Sequence, residues 1–322
     1  MIHDEFLGRT TDIGEVNNKT AYNPYTGKGY NPPTKEMNFT DGIANLHLRD
    51  EQGRVRFERV PSLPEMIEAI HDTGINVVLE LDFKDQAAIE PSYWALKNLT
   101  NAAGVPANEW CIYKLQSVWH QNVTAFESLP WVQDAFQSGV QLAYIPVFSP
   151  SASEEYDQLE TWKQFSQTNY TLSAEVDIND YGDDPVLQDL LHYIQAPDRC
   201  QSAGIYYSPG DFSYPNTDNI TFFDTGNFSL PEDLVVNSSV WSFSENELPN
   251  LNVGDARSNF TWIVEKGYDW LIADTADEWD VRLAEQGFRN LSRLVQDGRN
   301  VIENGREKGW YRKRHVKDFR VS

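Results

Sequence analysis

Cysteine and long apolar runs are the two features that this 322-residue chain most clearly lacks. Cys111 and Cys200 are the only cysteines, so a single disulfide or two buried thiols both agree with the sequence. No stretch of about 20 apolar residues occurs, so the sequence predicts no transmembrane helix. With 40% hydrophobic residues, the chain is nevertheless long enough for one large domain or two small ones with a sizeable core.

Positive charge is also scarce. The sequence has 26 Lys and Arg residues against 49 Asp and Glu residues, which gives a formal net charge of -23. Such a chain would be repelled by the phosphate backbone of a nucleic acid and by an anionic membrane surface. The acidic residues are spread along the sequence, as is typical of a solvated surface. We therefore predict no nucleic-acid partner.

Asn-x-Ser/Thr sequons, in contrast, are abundant. Each sequon matches the acceptor pattern for N-glycosylation in the secretory pathway. The ten sequons begin at Asn18, Asn38, Asn98, Asn122, Asn169, Asn219, Asn227, Asn237, Asn259 and Asn290. Ten sequons exceed the few that chance supplies in a chain of this length, so we predict a secreted glycoprotein. The residues after Met1 do not form a signal peptide, and the two observations together predict a missing amino-terminal segment.

Strand and helix patterns alternate along the chain. Runs of β-branched and apolar residues predict strands at residues 77–84, 111–116, 140–148, 171–178, 240–243 and 270–274. Helical patterns lie before and between them, at about 62–73, 91–103, 125–138, 154–168, 184–195 and 254–266. Such alternation is typical of parallel α/β folds. Six strand–helix steps and a short strand at residues 1–2 approach the eight of a TIM (β/α)8 barrel, so we predict an α/β barrel that is incomplete at its amino terminus.

The predicted strand at 77–84 carries an unusual set of charges. Side chains alternate between the two faces of a strand, so Glu80, Asp82 and Lys84 share one face. Leu81 and Phe83 point the other way. Charged groups on the inner face of a barrel are costly unless they pair with each other or bind a ligand. Two carboxylates and an ammonium suit a hard cation together with a phosphate, and a structural ion-pair network is the alternative.

Several motifs occur in the order found in one known family. Residues 3–14, His-Asp-Glu-Phe-Leu-Gly-Arg-Thr-Thr-Asp-Ile-Gly, are similar to the His-Asp-x-x-Leu-x-Arg-Thr-Thr-x-x-Gly signature of the glycerophosphodiester phosphodiesterases. Residues 60–65 resemble the family's Ile-Pro-Thr-Leu-x-Glu helix start, and residues 82–84 resemble its Glu-x-Lys strand with Asp in place of Glu. Residues 240–243 and 267–274 are similar to the Trp-Thr-Val and Gly-Val-Asp-Gly-Ile-Ile-Thr-Asp segments that close the family's barrel.

The resemblance implies a TIM barrel that hydrolyses glycerophosphodiesters to an alcohol and glycerol 3-phosphate, with a divalent metal as cofactor. In the family two histidines act as acid and base, and His3 would be the second of them. Asp82 would be a ligand of the metal, Ca²⁺ or Mg²⁺, with Glu80 as a neighbouring candidate. Lys84 would hold the phosphate. Trp241 would line the glycerol side of the pocket or serve as a core residue.

The resemblance does not extend to the family's first motifs. The family opens with a His-Arg-Gly strand and a Glu-x-Asp pair, both upstream of the His-Asp motif, and here His3 is the third residue. We therefore expect a barrel at 1–290 that lacks its first strand and has little or no activity by itself, with an insertion near 207–237 and a basic tail at 291–322. Glu175, which shares a strand face with Asp177, is a further inner-face candidate.

Other functions also agree with the sequence. A phospholipase D-like barrel would use similar residues on lipid head groups. A non-enzymatic remnant would follow from the missing strand. A carbohydrate-active barrel would explain the paired carboxylates, but the His-Asp and Arg-Thr-Thr motif favours the phosphodiesterases over it.

Overall fold

A parallel sheet of six strands is the centre of the structure. The computed structural model describes residues 6–22, 28–49, 53–75, 77–178, 184–199, 201–206, 256–258 and 260–272. The strands in these ranges are β1 (His47–Arg49), β2 (Val55–Arg59), β3 (Leu79–Asp82), β4 (Cys111–Gln116), β5 (Ala143–Phe148), β6 (Ala174–Val176), β7 (Ala203–Tyr206) and β8 (Trp270–Ile272). Strands β3 to β8 pair in chain order, each parallel to the next, and the sheet curls into half a barrel. The structure is therefore mixed α/β with a parallel sheet.

Helices connect the parallel strands. The α-helices are α1 (Ile13–Val16), α2 (Leu63–Thr73), α3 (Ile89–Leu96), α4 (Ala107–Trp110), α5 (Val123–Glu127), α6 (Pro130–Gln137), α7 (Gln158–Phe165), α8 (Pro185–Ile194) and α9 (Phe260–Lys266). Short 3-10 turns lie at Thr34–Glu36, Ile43–Asn45, Gln86–Ala88, Ser117–Trp119, Pro150–Ala152 and Ala256–Ser258. In the described ranges no helix is long and apolar enough to cross a membrane.

Five of the six predicted strands are confirmed as parallel strands, with shorter bounds at 77–84, 140–148 and 171–178. The sixth, at 240–243, lies outside the described residues. Its expected place between 171–178 and 270–274 is taken by β7, which pairs with β6 on one side and with β8 on the other. The sequence did not predict β7 because this strand has only four residues and contains Gly204, a residue that weakens a strand pattern.

A helix lies at each of the six predicted places, but the bounds differ: the helix expected at 91–103 ends at Leu96, and the one expected at 154–168 spans Gln158–Phe165. Ser62 and Glu65 form a capping box at the start of α2, and Gly74 ends the helix with a positive φ of 68°. The segment at 125–138 was expected to be one helix and is two, α5 and α6. Pro130 is the first residue of α6, where its lack of a backbone N–H has no cost.

The core lies between the sheet and the helices. Leu81, Tyr113 and Tyr144 belong to one buried cluster, with Phe126 and Trp131 from the helices. Along the sheet, alternate residues of β6 and β7 continue this layer into a second cluster with α8 and α9. The side chains between these buried residues point to the opposite, concave face of the sheet. The concave face is therefore where a site at the strand ends would lie.

A third, smaller cluster packs the segment before the sheet. Leu7, Ile13, Ile43, Leu46 and Val60 are its buried members, next to the antiparallel hairpin of β1 and β2. This hairpin was not predicted, although Val55, Arg56, Phe57 and Glu58 alternate between apolar and charged residues, and most of β2 is exposed. The insertion near 207–237 and the tail at 291–322 lie outside the described residues, as does the short strand expected at residues 1–2.

Candidate functional site

The predicted charges of β3 lie together on the concave face. Lys84 Nζ is 2.9 Å from Asp82 Oδ2, and both side chains are partly exposed. Leu81, which precedes Asp82, and Phe83, which lies between Asp82 and Lys84, are buried against the helices. The alternation predicted for residues 77–84 therefore holds over residues 81–84, whereas Val77 and Val78 are both exposed. It places Asp82 at the carboxyl end of β3, the edge at which parallel α/β barrels bind their ligands.

Lys114 joins the charges of β3 to those of β6. It lies on β4, in register with Asp82, and its side chain is only 3% exposed. Its Nζ is 3.1 Å from Asp82 Oδ2 and 2.8 Å from Glu175 Oε2. We call these four residues, Lys84, Asp82, Lys114 and Glu175, the inner charge cluster. The cluster spans β3, β4 and β6 across the concave face.

Burial and neighbouring charges oppose each other at Lys114. Burial by itself would lower its pKa, but Glu175 and then Asp82 favour the ammonium, so the pKa of Lys114 lies above its usual value. Burial raises the pKa of Glu175, and the charge of Lys114 opposes that rise. Lys114 is therefore a buried, charged ammonium whose compensation depends on two carboxylates.

A second ion pair continues the polar row beyond β6. Asp177 directly follows β6, and its Oδ1 is 2.8 Å from Arg257 Nη1. The Arg257 guanidinium also lies 5.7 Å from the centre of the Tyr206 ring on β7. Asp177 and Glu175 are two residues apart and share the concave face, as the sequence predicted.

An aromatic ring lies against the sheet near the amino ends of β7 and β8. Trp270, at the start of β8, packs directly over Gly204, and a Cβ at that position would collide with the ring. Its Nε1 donates a hydrogen bond of 2.7 Å to Ser173 Oγ. Gly204 and Trp270 are paired near the amino ends of β7 and β8. Trp270 therefore occupies the surface of the sheet near the amino ends of β7 and β8.

The structure brings together some of the predicted site residues. Asp82 and Lys84 are in contact, and Glu80 is an exposed residue of the same strand. His3 and Trp241 lie outside the described residues. Lys114 was not predicted, although a signal was present. Cys111, Tyr113 and Leu115 are apolar or aromatic and alternate with Lys114, so the period of two already placed this lysine on the inner face.

The cluster offers one free carboxylate oxygen to a metal ion. Asp82 Oδ1 is buried and accepts no hydrogen bond from any described residue. Among the described residues, no group of three or more His, Cys, Asp or Glu side chains has the geometry of a metal site. Mg²⁺ keeps several waters and is often held by one or two carboxylates together with substrate phosphates. Asp82, with Glu80 beside it, fits that kind of shared site rather than a closed protein cage.

An open groove among the described residues lies away from the inner charge cluster. A groove of about 700 Å³ on the outside of the molecule is lined by residues of α5, α7 and the turn after α7, among them Glu127, Lys163, Asn169 and Tyr170. None of its lining residues belongs to the inner charge cluster. We call it the outer groove and do not assign the predicted chemistry to it, because it lacks the predicted groups.

Comparisons with known proteins give no relative: no protein-family model, no curated protein and no solved structure matches the chain. The case for a function therefore depends on the motifs and on the inner charge cluster.

Proposed function

We propose that this chain is a glycerophosphodiester phosphodiesterase-like TIM-barrel protein, and that it binds a phosphodiester ligand at the inner charge cluster. The observation that carries the proposal is the contact of Lys84 with Asp82 at the carboxyl end of β3, next to the buried Lys114. These are the residues that the Glu-x-Lys-like motif assigns to the metal and the phosphate. The geometry supports the motif, because the two side chains share one face and one edge.

Lys84 is suited to bind a phosphate oxygen. An ammonium has three N–H donors, and in the described structure Asp82 is the ion-pair partner of Lys84. The side chain of Lys84 is 42% exposed, so a ligand from solvent can reach its remaining donors. Lys114 is buried and shared between two carboxylates. Its role is to hold Asp82 and Glu175 in place rather than to contact the ligand.

The balance of charge on the concave face favours a cation as co-ligand. Glu80, Asp82, Glu175 and Asp177 are four carboxylates, and three basic side chains, Lys84, Lys114 and Arg257, accompany them. An anionic phosphodiester alone would add to the negative charge. A divalent cation, Mg²⁺ or Ca²⁺, would supply the positive charge that stabilises the phosphoryl oxygens, and Asp82 Oδ1 with Glu80 would hold it.

Two further parts of the proposal come from the resemblance. His3 would transfer a proton to the leaving alkoxide or activate the nucleophile, and Trp241 would line the glycerol side. Hydrolysis would release an alcohol and glycerol 3-phosphate. A phospholipase D-like barrel would bind a lipid head group with the same lysine and carboxylate. The two proposed functions therefore use the same site and differ in their ligand.

The proposal predicts that glycerol 3-phosphate, the common product, binds in the presence of Mg²⁺ and that Lys84→Met weakens binding about tenfold, or about 1.4 kcal/mol. The reason is the loss of one charge-assisted contact to phosphate at a partly exposed position. Isothermal titration calorimetry measures the affinity. Lys97→Met is the matched control, because Lys97 is similarly exposed but pairs with Asp134, outside the inner charge cluster. Equal affinity for wild type and Lys84→Met, or no binding, would contradict the proposal.

The same proteins separate an enzyme from a binding remnant. Release of glycerol 3-phosphate from glycerophosphocholine, lost on addition of a chelator, would identify a hydrolase. Binding of glycerol 3-phosphate without turnover would favour the remnant. Turnover of lysophosphatidylcholine in preference to glycerophosphocholine would favour the phospholipase D-like alternative.

A further inference from the structure

Five surface asparagines outside the inner charge cluster share one sequence pattern. Each is followed two positions later by a threonine, and the five are Asn18, Asn38, Asn98, Asn122 and Asn169. All five are exposed in the structure. An asparagine that carries a glycan cannot be buried in the folded protein, because the glycan is large and hydrophilic. All five sequon asparagines that lie in the described ranges are therefore exposed enough to carry a glycan.

The local hydrogen bonds leave the acceptor nitrogen available. Asn122 caps α5 through its side-chain oxygen, which accepts a hydrogen bond of 2.8 Å from the backbone N–H of Ala125. The side-chain oxygen of Asn38 accepts from Thr40 N at 2.9 Å and from Asp41 N at 3.3 Å. Both contacts use Oδ1, whereas a glycan is attached to Nδ2. Glycosylation therefore preserves the helix cap and the turn.

Two of these asparagines lie on connections that lead to the end of the sheet opposite the ligand-binding edge. Asn98 follows α3 and Asn169 follows α7, on the connections that lead to the amino ends of β4 and β6. The inner charge cluster and the expected ligand lie toward the carboxyl ends. Asn122 differs, because it lies on the connection that leaves the carboxyl end of β4. Glycans on Asn98 and Asn169 thus leave the binding edge clear.

Asn169 also has free space beside it. It lines the outer groove together with Thr168, Tyr170 and Lys163. The groove is open to solvent, so a branched sugar chain on Asn169 would not displace any part of the fold. Of the five positions, Asn169 thus combines exposure, a threonine sequon and open surrounding volume.

We propose that these five asparagines are N-glycosylation sites, with Asn98 and Asn169 as the two that are occupied without any effect on the ligand-binding edge. The donor is an oligosaccharide linked to a lipid diphosphate. Asn Nδ2 forms a bond to C1 of the first sugar, the bond from C1 to the diphosphate oxygen breaks, Nδ2 loses one proton, and the lipid diphosphate leaves. No oxidant or reductant is needed.

The test is to express the full chain behind a cleavable secretion signal in eukaryotic cells and to map the glycans. Enzymatic release of N-glycans converts each occupied Asn to Asp, and peptide mass spectrometry reads that change at each site. We expect conversion at Asn98 and Asn169 in the secreted protein. Thr171→Ala should abolish occupancy of Asn169, and Thr171→Ser should retain it, because serine preserves the sequon.

The matched pair Thr100→Ala and Thr100→Ser gives the same contrast at Asn98. Removal of the signal, seen at the new amino terminus, shows that each protein entered the pathway. Secreted, signal-free protein with unmodified Asn98 and Asn169 would overturn the inference. So would occupancy of Asn169 that survives Thr171→Ala, since the modification would then not depend on the sequon.

Discussion

Replacing Lys114 by methionine should lower the free energy of unfolding by about 3–5 kcal/mol. The substitution keeps much of the side-chain volume but removes the charge that compensates Glu175, which is 4% exposed, and part of the charge that compensates Asp82. Removing one partner of a buried ion pair leaves the other charge uncompensated, and losses of this size are typical. Urea unfolding at neutral pH, followed by circular dichroism, measures the change.

Two controls separate this effect from the loss of a lysine as such. Lys163→Met removes an exposed pair with Glu160 and should cost about 1 kcal/mol or less. The double variant Lys114→Met with Glu175→Met should be more stable than Lys114→Met alone, because no uncompensated Glu175 charge remains. If the free energy of unfolding of Lys114→Met stays within about 1 kcal/mol of the wild-type value, Lys114 does not compensate the charges of Glu175 and Asp82.

His120 should make the protein lose about 2–3 kcal/mol of stability between pH 7.5 and pH 4.5. The residue is only 6% exposed, its ring packs edge-on against Phe126, and its Nε2 has no hydrogen-bond partner among the described residues. Burial lowers the pKa of His120 from 6.5 to about 4. Between these two values the unfolded chain binds a proton that the folded protein does not, so stability falls as the pH falls.

The variant His120→Phe should remove this part of the pH dependence, because phenylalanine does not titrate and suits an aromatic site. The quantity to compare is the difference in unfolding free energy between pH 7.5 and pH 4.5, measured by urea titration. His192→Phe is the control and should keep the wild-type difference, because His192 is exposed on α8. An unchanged difference in His120→Phe would show that His120 is not buried as a neutral imidazole.

The sequence predicted the sheet well where local pattern and tertiary structure agree. The apolar runs at 111–116 and 140–148 are long enough to identify β4 and β5. The capping box at Ser62 identified the start of α2. In contrast, β7 was missed because a four-residue strand with a glycine has no pattern of its own. Its place is determined by pairing with β6 and β8, which are 27 or more residues away along the chain.

In the candidate site, too, local pattern predicted some features and tertiary contacts determined the others. Asp82 and Lys84 could be placed on one face from the strand period alone. The sequence could not show that Lys114 is shared between Asp82 and Glu175, because this contact brings together three strands. The burial of His120 also comes from tertiary packing against α5, and an isolated histidine in a polar segment has no sequence signal for it.

The central claim is that a phosphate ligand and a divalent cation bind at the carboxyl end of β3. A crystal structure of the full chain with glycerol 3-phosphate and Mn²⁺ tests it most directly, because Mn²⁺ substitutes for Mg²⁺ and is located by its anomalous scattering. We predict a phosphate oxygen within hydrogen-bond distance of Lys84 Nζ and an Mn²⁺ peak at Asp82 Oδ1. A phosphate bound in the outer groove, or an inner charge cluster that stays free of both ligands at saturating concentrations, would contradict the account.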